Sequence, residues 1–383
     1  MAPESLQPAE TLTISQILRA LDIDGPAAGG ESDTYYVIPG NSGPRWLIPK
    51  KSRASAAVLS DWKPYGRLSQ IKWIAIRFLA RAGILHLAGS VSSIAISRAD
   101  SMRWFERCGI DSSTEKIIIL AGNPSPTAKL IVFLPKNAYR IAAVAKVGAT
   151  TEGGLRVLRE AEVLRRLEQF SWAPKALPIH TDLVATAQEY VHGAIPDRRF
   201  RPQYVDLLCR LPRDGNSKGL TSIAEEMRRK LAPFEADVEA KAPGLLYRAL
   251  DLLNCNLELP TILVHGDFAP WNLRHNRQAG YVLVDWERAD FAGLPAHDLL
   301  HFHFNNDYLF PSKVGGYPVI REKPECSGYL RAMDLDPGLL PQLAITYLLE
   351  QLVYSCTWGG DAHAGYVLTQ LQAIVDAPRS RHN

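Results

Sequence analysis

The sequence predicts an α+β fold in two lobes, and three observations carry that prediction. Strand-like runs crowd between about 116 and 191, helical pattern dominates from about 200 to 376, and a β-rich insertion interrupts the helical part near 261–286. Elements segregated in this way separate a small sheet-bearing lobe from a helical one. At 383 residues the chain is also longer than one typical core supports.

In chain order, a short helix is expected around Ile14 to Leu21, followed by a Gly-rich linker from Gly25 to Gly30. Two strand-like runs, Tyr35 to Pro39 and Arg45 to Pro49, flank Gly40-Asn41-Ser42-Gly43, a turn composition that suits a hairpin. Leu68 to Leu85 reads as a helix carrying Lys72, Arg77 and Arg81 among apolar residues. Such a helix either touches an anionic membrane surface or packs its apolar side on the neighbouring domain, and packing is the expectation here. Residues 1–105 form an N-terminal extension on this reading. Three runs then follow closely, Lys116 to Ala121, Lys129 to Leu134 and Arg140 to Val147, as a small antiparallel sheet. Leu155 to Leu167 continues as a helix with Leu155, Leu158, Ala161, Val163, Leu164 and Leu167 as its apolar stripe. Leu183 to Val191 is a fourth run; the lobe over 106–192 is expected to be five-stranded with one principal helix, which leaves 193–383 as the helical lobe.

Composition excludes several classes. Apolar residues are 46% and charged ones 22%, the balance of a folded chain. Forty-three Lys and Arg against 40 Asp and Glu leave +3, so bulk electrostatics point to no nucleic-acid partner. The five cysteines are widely spaced without a C-x-x-C pair, which argues against a disulfide framework and fits a reducing, cytoplasmic location. No export signal is expected from the polar, acidic start. The apolar stretch Trp73 to Ala80, broken by Arg77, is far shorter than the roughly 20 residues that cross a bilayer.

The most informative stretch is Thr261 to Leu273, containing His265-Gly266-Asp267-Phe268-Ala269-Pro270-Trp271-Asn272, followed by Val284-Asp285-Trp286-Glu287. Two apolar strands each deliver a carboxylate at their end. Asp267 and Asn272 share a loop, and a hairpin-like return is expected to bring Asp285 to the same side. Three oxygen-bearing groups suit phosphoryl transfer, in which magnesium takes hard oxygen ligands and one more carboxylate orients or deprotonates the attacking hydroxyl. Taken singly these residues are bland: Asp267 a turn or cap, Lys146 a solvated strand end, Glu160 a helix-surface charge. Their order along the chain carries the reading.

H-G-D-F-A-P-W-N followed by V-D-W-E resembles the catalytic and metal-binding segments of the aminoglycoside phosphotransferase and choline kinase families, which share the bilobal protein-kinase-like fold. The resemblance covers about 115–305 and implies an ATP- and Mg-dependent small-molecule kinase. It makes Asp267 the catalytic base, Asn272 a magnesium ligand, Asp285 the chief magnesium ligand, and His265 and Asp298 structural supports of the loop. Upstream, Lys146 ends an alternating strand as the phosphate-holding lysine of kinases does, with Glu160 as its carboxylate partner and Glu162 as the alternative, about 200° round the helix. Gln188 to Gly193 resembles the connection between lobes, where backbone groups of Glu189 and Val191 would meet adenine.

Two departures matter. The loop Gly122 to Thr127 has one glycine and two prolines, unlike a Gly-rich phosphate cover. Trp286-Glu287 stands where protein kinases carry Phe-Gly, which favours a small-molecule acceptor. Candidate acceptor contacts are Trp271, Glu287 and His301, with Trp286, His303 and Asn305 beside them; core packing is the alternative for the tryptophans and histidines, and a pair with Arg274 or Arg288 the alternative for Glu287. The extension, with its Arg-Trp-Leu-Ile-Pro run, loosely resembles kinases encoded beside polysaccharide-assembly enzymes, which inclines the acceptor towards a sugar or glycan precursor. Two rival readings stand: a catalytically silent kinase-like binding module, and a metal-dependent hydrolase using His297 and His301, which are four apart.

Overall fold

Around β-forming stretches such as Ile141-Ala142-Ala143-Val144-Ala145, apolar side chains occupy both alternating sets, the pattern of a strand covered on two faces. A computed structural model describes residues 12–24, 31–40, 43–50, 52–61, 67–87, 91–111, 115–122, 124–276, 280–312 and 315–377. The chain forms two compact units, Met1–Ile195 with Arg274–Glu287, and Pro196–Leu273 with Arg288–Asn383. The hairpin residues 41–42 and the whole linker from Gly25 to Gly30 lie outside the described residues.

The first unit runs α1 (Ile14–Ala20), β1 (Ser32–Gly40), β2 (Gly43–Pro49), α2 (Arg53–Asp61), α3 (Arg67–Ala82), β3 (Ser92–Ser97), α4 (Arg98–Arg107), β4 (Ile118–Ala121), β5 (Lys129–Asn137), β6 (Arg140–Gly148), α5 (Thr151–Arg166), β7 (Ala176–Leu177) and β8 (Ala185–Glu189). Its sheet has eight strands in the order β3-β1-β2-β4-β5-β6-β8-β7, with neighbours antiparallel. On one face Ala143, Ala145 and Val147 of β6 join a core closed by Ile17 of α1 and by Trp104 and Phe105 of α4. On the other, Val144 joins Trp46, Ile118, Leu120 and Phe133 under Val58 and Leu59 of α2 and Ala80 of α3.

This departs from a five-stranded sheet with a separate extension packed on it. The first strands continue the sheet edge to edge, with Trp46 opposite Leu120 and Leu47 opposite Ile119. The unbroken burial of Trp46, Leu47 and Ile48 is that of an interior strand. The stripe of α5 also differs: Leu155 and Leu158 are exposed, while Val157, Glu160, Val163 and Leu164 are buried. A carboxylate that finds a buried cation outweighs the pull of two leucines, so Glu160 sets the helix rotation.

From Pro196 onward the elements are α6 (Pro202–Cys209), β9 (Arg213–Gly219), α7 (Leu220–Leu231), α8 (Glu235–Lys241), α9 (Leu245–Asp251), β10 (Glu258–Val264), β11 (Leu273–Asn276), β12 (Gly280–Leu283), β13 (Asp290–Gly293), α10 (His297–Leu309), α11 (Tyr317–Ile320), α12 (Pro324–Ala332), α13 (Leu340–Tyr354) and α14 (Asp361–Val375). β12 and all of β11 beyond Leu273 fall in the first unit. In the second, β9, β10 and β13 form a three-stranded sheet in the order β13-β10-β9. β9, the polar run Arg-Asp-Gly-Asn-Ser-Lys-Gly, carries no strand pattern and exists because its backbone pairs with Leu259 and Pro260 of β10. α13 is buried nearly all round, as a helix at the centre of a core is. Among the described residues no helix is long and apolar enough to cross a membrane.

Candidate active site

In the first unit a lysine-carboxylate cluster forms beneath β5 and β6. Lys146, 4% exposed on β6, places Nζ 2.6 Å from Oε1 of Glu160, which is fully buried on α5. The same ammonium lies 2.7 Å from Asp285 Oδ1. Glu162 instead faces outward and pairs with Arg159 and Arg166. Glu160 Oε1 also accepts the Trp286 amide at 3.2 Å, so one oxygen ties α5 to the turn after β12. Asp285 adopts φ 72°, a left-handed conformation that costs a non-glycine residue about 1–2 kcal/mol. Strain of this kind persists where surrounding bonds over-determine it, and functional sites are where it gathers.

Lys129, read in the sequence only as the start of a strand, is the second cation here. Its Nζ donates to Asp285 Oδ1 at 2.6 Å and to Glu287. The signal lay in the register: Ile131 stands opposite Lys146, so Lys129, two residues earlier, is a diagonal neighbour on the same face. Burial works against the charge of Lys129, but Asp285, Glu287 and Glu160 outweigh it and hold the ammonium protonated. Burial likewise opposes ionisation of Asp285, and Lys129 and Lys146 override it, so its carboxyl lies far below the usual range. Glu287 is pushed up by burial and then by Asp285. Its partners are Lys129 and, at 4.0 Å, Arg156, which corrects the expected pairing with Arg274 or Arg288. Trp286 is fully buried, its indole donating to Leu283 O at 3.0 Å and packing beside Trp172. Of the two readings it takes the core one.

At the end of β8, the Glu189 amide donates to Lys175 O and the Tyr190 amide to Ala142 O. Val191 follows, partly buried. Gly193 lets the chain run against β11, since a Cβ there would lie 2.8 Å from the His275 carbonyl oxygen.

In the second unit, β10 ends in the loop His265 to Asn272. Asp298, buried in the first turn of α10, accepts the His265 amide at 2.7 Å and the Gly266 amide at 2.9 Å. Gly266 has φ +77°, and an added Cβ would lie 2.2 Å from Arg288 O, so the loop requires glycine there. His265 Nδ1 accepts the Asp267 amide at 3.3 Å. Asn272 Nδ2 donates to both the carbonyl oxygen and Oδ2 of Asp267 at 2.9 Å, which leaves its own amide oxygen, a hard acceptor atom, outside these bonds. Trp271, partly exposed, sits in the same turn.

His301 proves to be a partner of Asp267, with Nε2 2.9 Å from Oδ1. Its Nδ1 lies 3.1 Å from the Tyr347 hydroxyl on α13, and Asn305 Nδ2 is 3.3 Å from Nε2. Burial pushes His301 down against the opposing pull of Asp267. A neutral imidazole with its proton on Nε2 donates to Asp267 and accepts from the Tyr347 hydroxyl at Nδ1. Asp267 is opposed by burial, but His301, Arg288 and His265 hold its carboxyl below the usual range. The result is an ionised carboxylate with a side chain 24% exposed, able to accept a proton from a bound hydroxyl. His303 packs against Phe200 and lies 3.3 Å from Glu325.

His297 and His301 stack with centroids 6.5 Å apart, yet their nitrogens serve different partners. His297 Nε2 is 3.1 Å from Glu350, and Nδ1 is 3.7 Å from Asp298. Burial opposes protonation of His297, but Asp298 and Glu350 push it up to about 9. A protonated imidazole has no lone pair for a metal, and among the described residues no group of three or more His, Cys, Asp or Glu could hold one. A raised histidine contributes stability in full below its ordinary 6.5 and loses it as pH rises through about 9. Urea unfolding at successive pH values is therefore expected to show stability falling across that window, and His297→Gln should flatten the fall. An equal fall in both proteins would contradict the assignment.

The first unit thus holds a buried lysine-glutamate pair beside an anionic aspartate, and the second a braced loop that presents another aspartate with an asparagine. Residues 142–316 match the model of the phosphotransferase enzyme family, APH, the family the sequence motifs resemble. The matched segment contains Lys146, Glu160, Asp267, Asn272 and Asp285. No protein of curated function matches the sequence. Similar solved structures include a thermostable mutant of the aminoglycoside phosphotransferase APH(4)-Ia in complex with AMP-PNP and hygromycin B, at 13% identity and TM-score 0.49, covering 74% of this chain and 100% of that one. The streptomycin-ATP complex of APH(2'')-IIa is similar at 13% identity and TM-score 0.44, covering 72% and 96%. Choline kinase LicA from Streptococcus pneumoniae is similar at 15% identity and TM-score 0.39, covering 70% and 91%.

Proposed function

We propose that this protein transfers the γ-phosphoryl group of ATP, with magnesium, to a hydroxyl of a small molecule. The observation that carries it is the cluster in which Lys146 is fixed by buried Glu160 and held against anionic Asp285. Lys146 positions the α- and β-phosphates, and the Glu189 and Val191 backbone meets the adenine edge. Asp267 accepts the acceptor hydroxyl proton as the oxygen-phosphorus bond forms and the bond to the β-phosphate bridging oxygen breaks. His265 and Asp298 hold its loop. Asp285 and Asn272 each offer a hard oxygen of the kind magnesium takes and would hold the ion, which would supply positive charge to offset that of the phosphates. On this reading 106–192 is the kinase-like N-lobe, 193–383 the C-lobe, and 1–105 an extension whose strands continue the N-lobe sheet.

For the acceptor we favour a sugar or glycan precursor. Beside Asp267, Arg288 is cationic and His301 neutral, and neither adds the negative charge a polycationic acceptor would seek. Trp271 and Glu287 remain the other candidate contacts.

Thermal unfolding with ATP, with and without magnesium, tests the proposal. ATP at about 100 times its Kd is expected to stabilise the protein by about 2.7 kcal/mol. The magnesium-dependent part should vanish in Asp285→Asn. No shift in either condition would favour a silent binding module. An ADP-release screen over sugars, amino alcohols and aminoglycosides then identifies the acceptor.

A further inference from the structure

Helix α3 has two apolar faces, and the protein uses one. Trp73, Ile76, Leu79 and Ala80 pack on the core above Trp46 and Phe133, and the Trp73 indole donates to Leu59 O at 2.8 Å. On the other side, Ile71, Ile74 and Phe78 are 65%, 63% and 68% exposed. Spaced i, i+3 and i+7, they form one strip along about two turns. The expectation that this helix spends its apolar residues on the neighbouring domain therefore holds for half of them.

The charge on the helix has one sign. Its sixteen residues include no Asp or Glu, while Arg67, Lys72, Arg77 and Arg81 fall among them. On the helical wheel Lys72 flanks the strip on one side and Arg77 and Arg81 on the other. A strip meant for a protein partner or a second copy would have no need to exclude carboxylates over so long a stretch. An apolar ridge flanked on its own helix only by cations complements a surface that offers hydrocarbon beneath an anionic layer.

We propose that α3 docks this protein on anionic phospholipid, with Ile71, Ile74 and Phe78 entering the headgroup boundary and Lys72, Arg77 and Arg81 meeting lipid phosphates. The helix lies on the membrane and does not cross it, since its 16 residues, several of them charged, fall short of a span. This goes beyond the phosphotransferase reading and does not depend on it: it concerns where the protein works.

The test is co-sedimentation of the full-length protein with vesicles of phosphatidylcholine alone and with about one-third phosphatidylserine. Binding is expected to be at least about tenfold tighter on the anionic vesicles and to weaken as salt shortens the Debye length. The double variant Ile74→Glu and Phe78→Glu should lose about tenfold of that binding while keeping its unfolding midpoint, because both side chains face solvent. Lys72→Gln with Arg81→Gln, which leaves the strip intact, should abolish the preference for anionic lipid. Equal binding to both vesicle types would overturn the proposal, as would an Ile74→Glu, Phe78→Glu protein that binds like the parent. Sedimentation equilibrium showing a dimer that Phe78→Glu separates would also overturn it, by giving the strip to a second copy.

Discussion

Asp267→Asn is expected to lower kcat by on the order of 10²–10⁴, the range a positioned general base supplies, while leaving ATP binding intact. The substitution keeps the shape of the side chain; the bond from His301 can still end on the amide oxygen and Asn272 Nδ2 keeps its bond to the backbone carbonyl, so the loop loses only the Asn272 bond to Oδ2. What disappears is the anionic acceptor that His301, Arg288 and His265 hold ionised against burial. A coupled ADP-release assay measures the turnover, and thermal stabilisation by ATP measures binding in the same preparation. Retained turnover would remove Asp267 from the role of base. Loss of both would say that the variant disturbs the loop and not the chemistry alone.

Glu160→Ala is expected to be the most damaging single change to stability, by about 3–5 kcal/mol, because it strips a partner from a buried ammonium and from a buried backbone amide at once. Asp285 still contacts Lys146, which places the expectation towards the lower figure. The comparison that gives this result meaning is Glu162→Ala. Glu162 pairs with Arg159 and Arg166 in partly exposed positions, and its removal should cost less than about 1 kcal/mol. Urea denaturation of the two variants separates the readings, and equal losses would contradict the special position of Glu160. Whatever stability survives, Glu160→Ala should also raise the KM for ATP, since Lys146 would no longer be held by two anions.

Much of the fold and of the candidate site is legible in the amino-acid sequence. The two strand-ending aspartates with Asn272 announce their chemistry through residue type and spacing, and the apolar runs of β5 and β6 announce a sheet. Lys146 and Glu160 can be named from their order along the chain, although only the rotation of α5 decides between Glu160 and Glu162. Lys129 cannot be named in this way, because its role depends on being the diagonal neighbour of Lys146 across a ladder, and register leaves no mark on a single strand. For His301 the local pattern points to the wrong partner: four-residue spacing draws attention to His297, whereas its ring serves Asp267.

Sequence alone determined the chemical inventory, the sheet-then-helix order, and which short segments carry the reactive carboxylates, since each is written in local side-chain identity and period. Tertiary structure decided what local pattern does not encode. It joined β1, β2 and β3 to β4 and the strands beyond it through backbone hydrogen bonds that any residue but proline can make. It turned Arg213–Gly219 into a strand by pairing alone, rotated α5 so that Glu160 met Lys146, and left one apolar strip of α3 facing solvent. The physical reason is common to all four. Side-chain periodicity states what an element prefers to bury, while the partner it buries against is chosen by contacts distant in the chain.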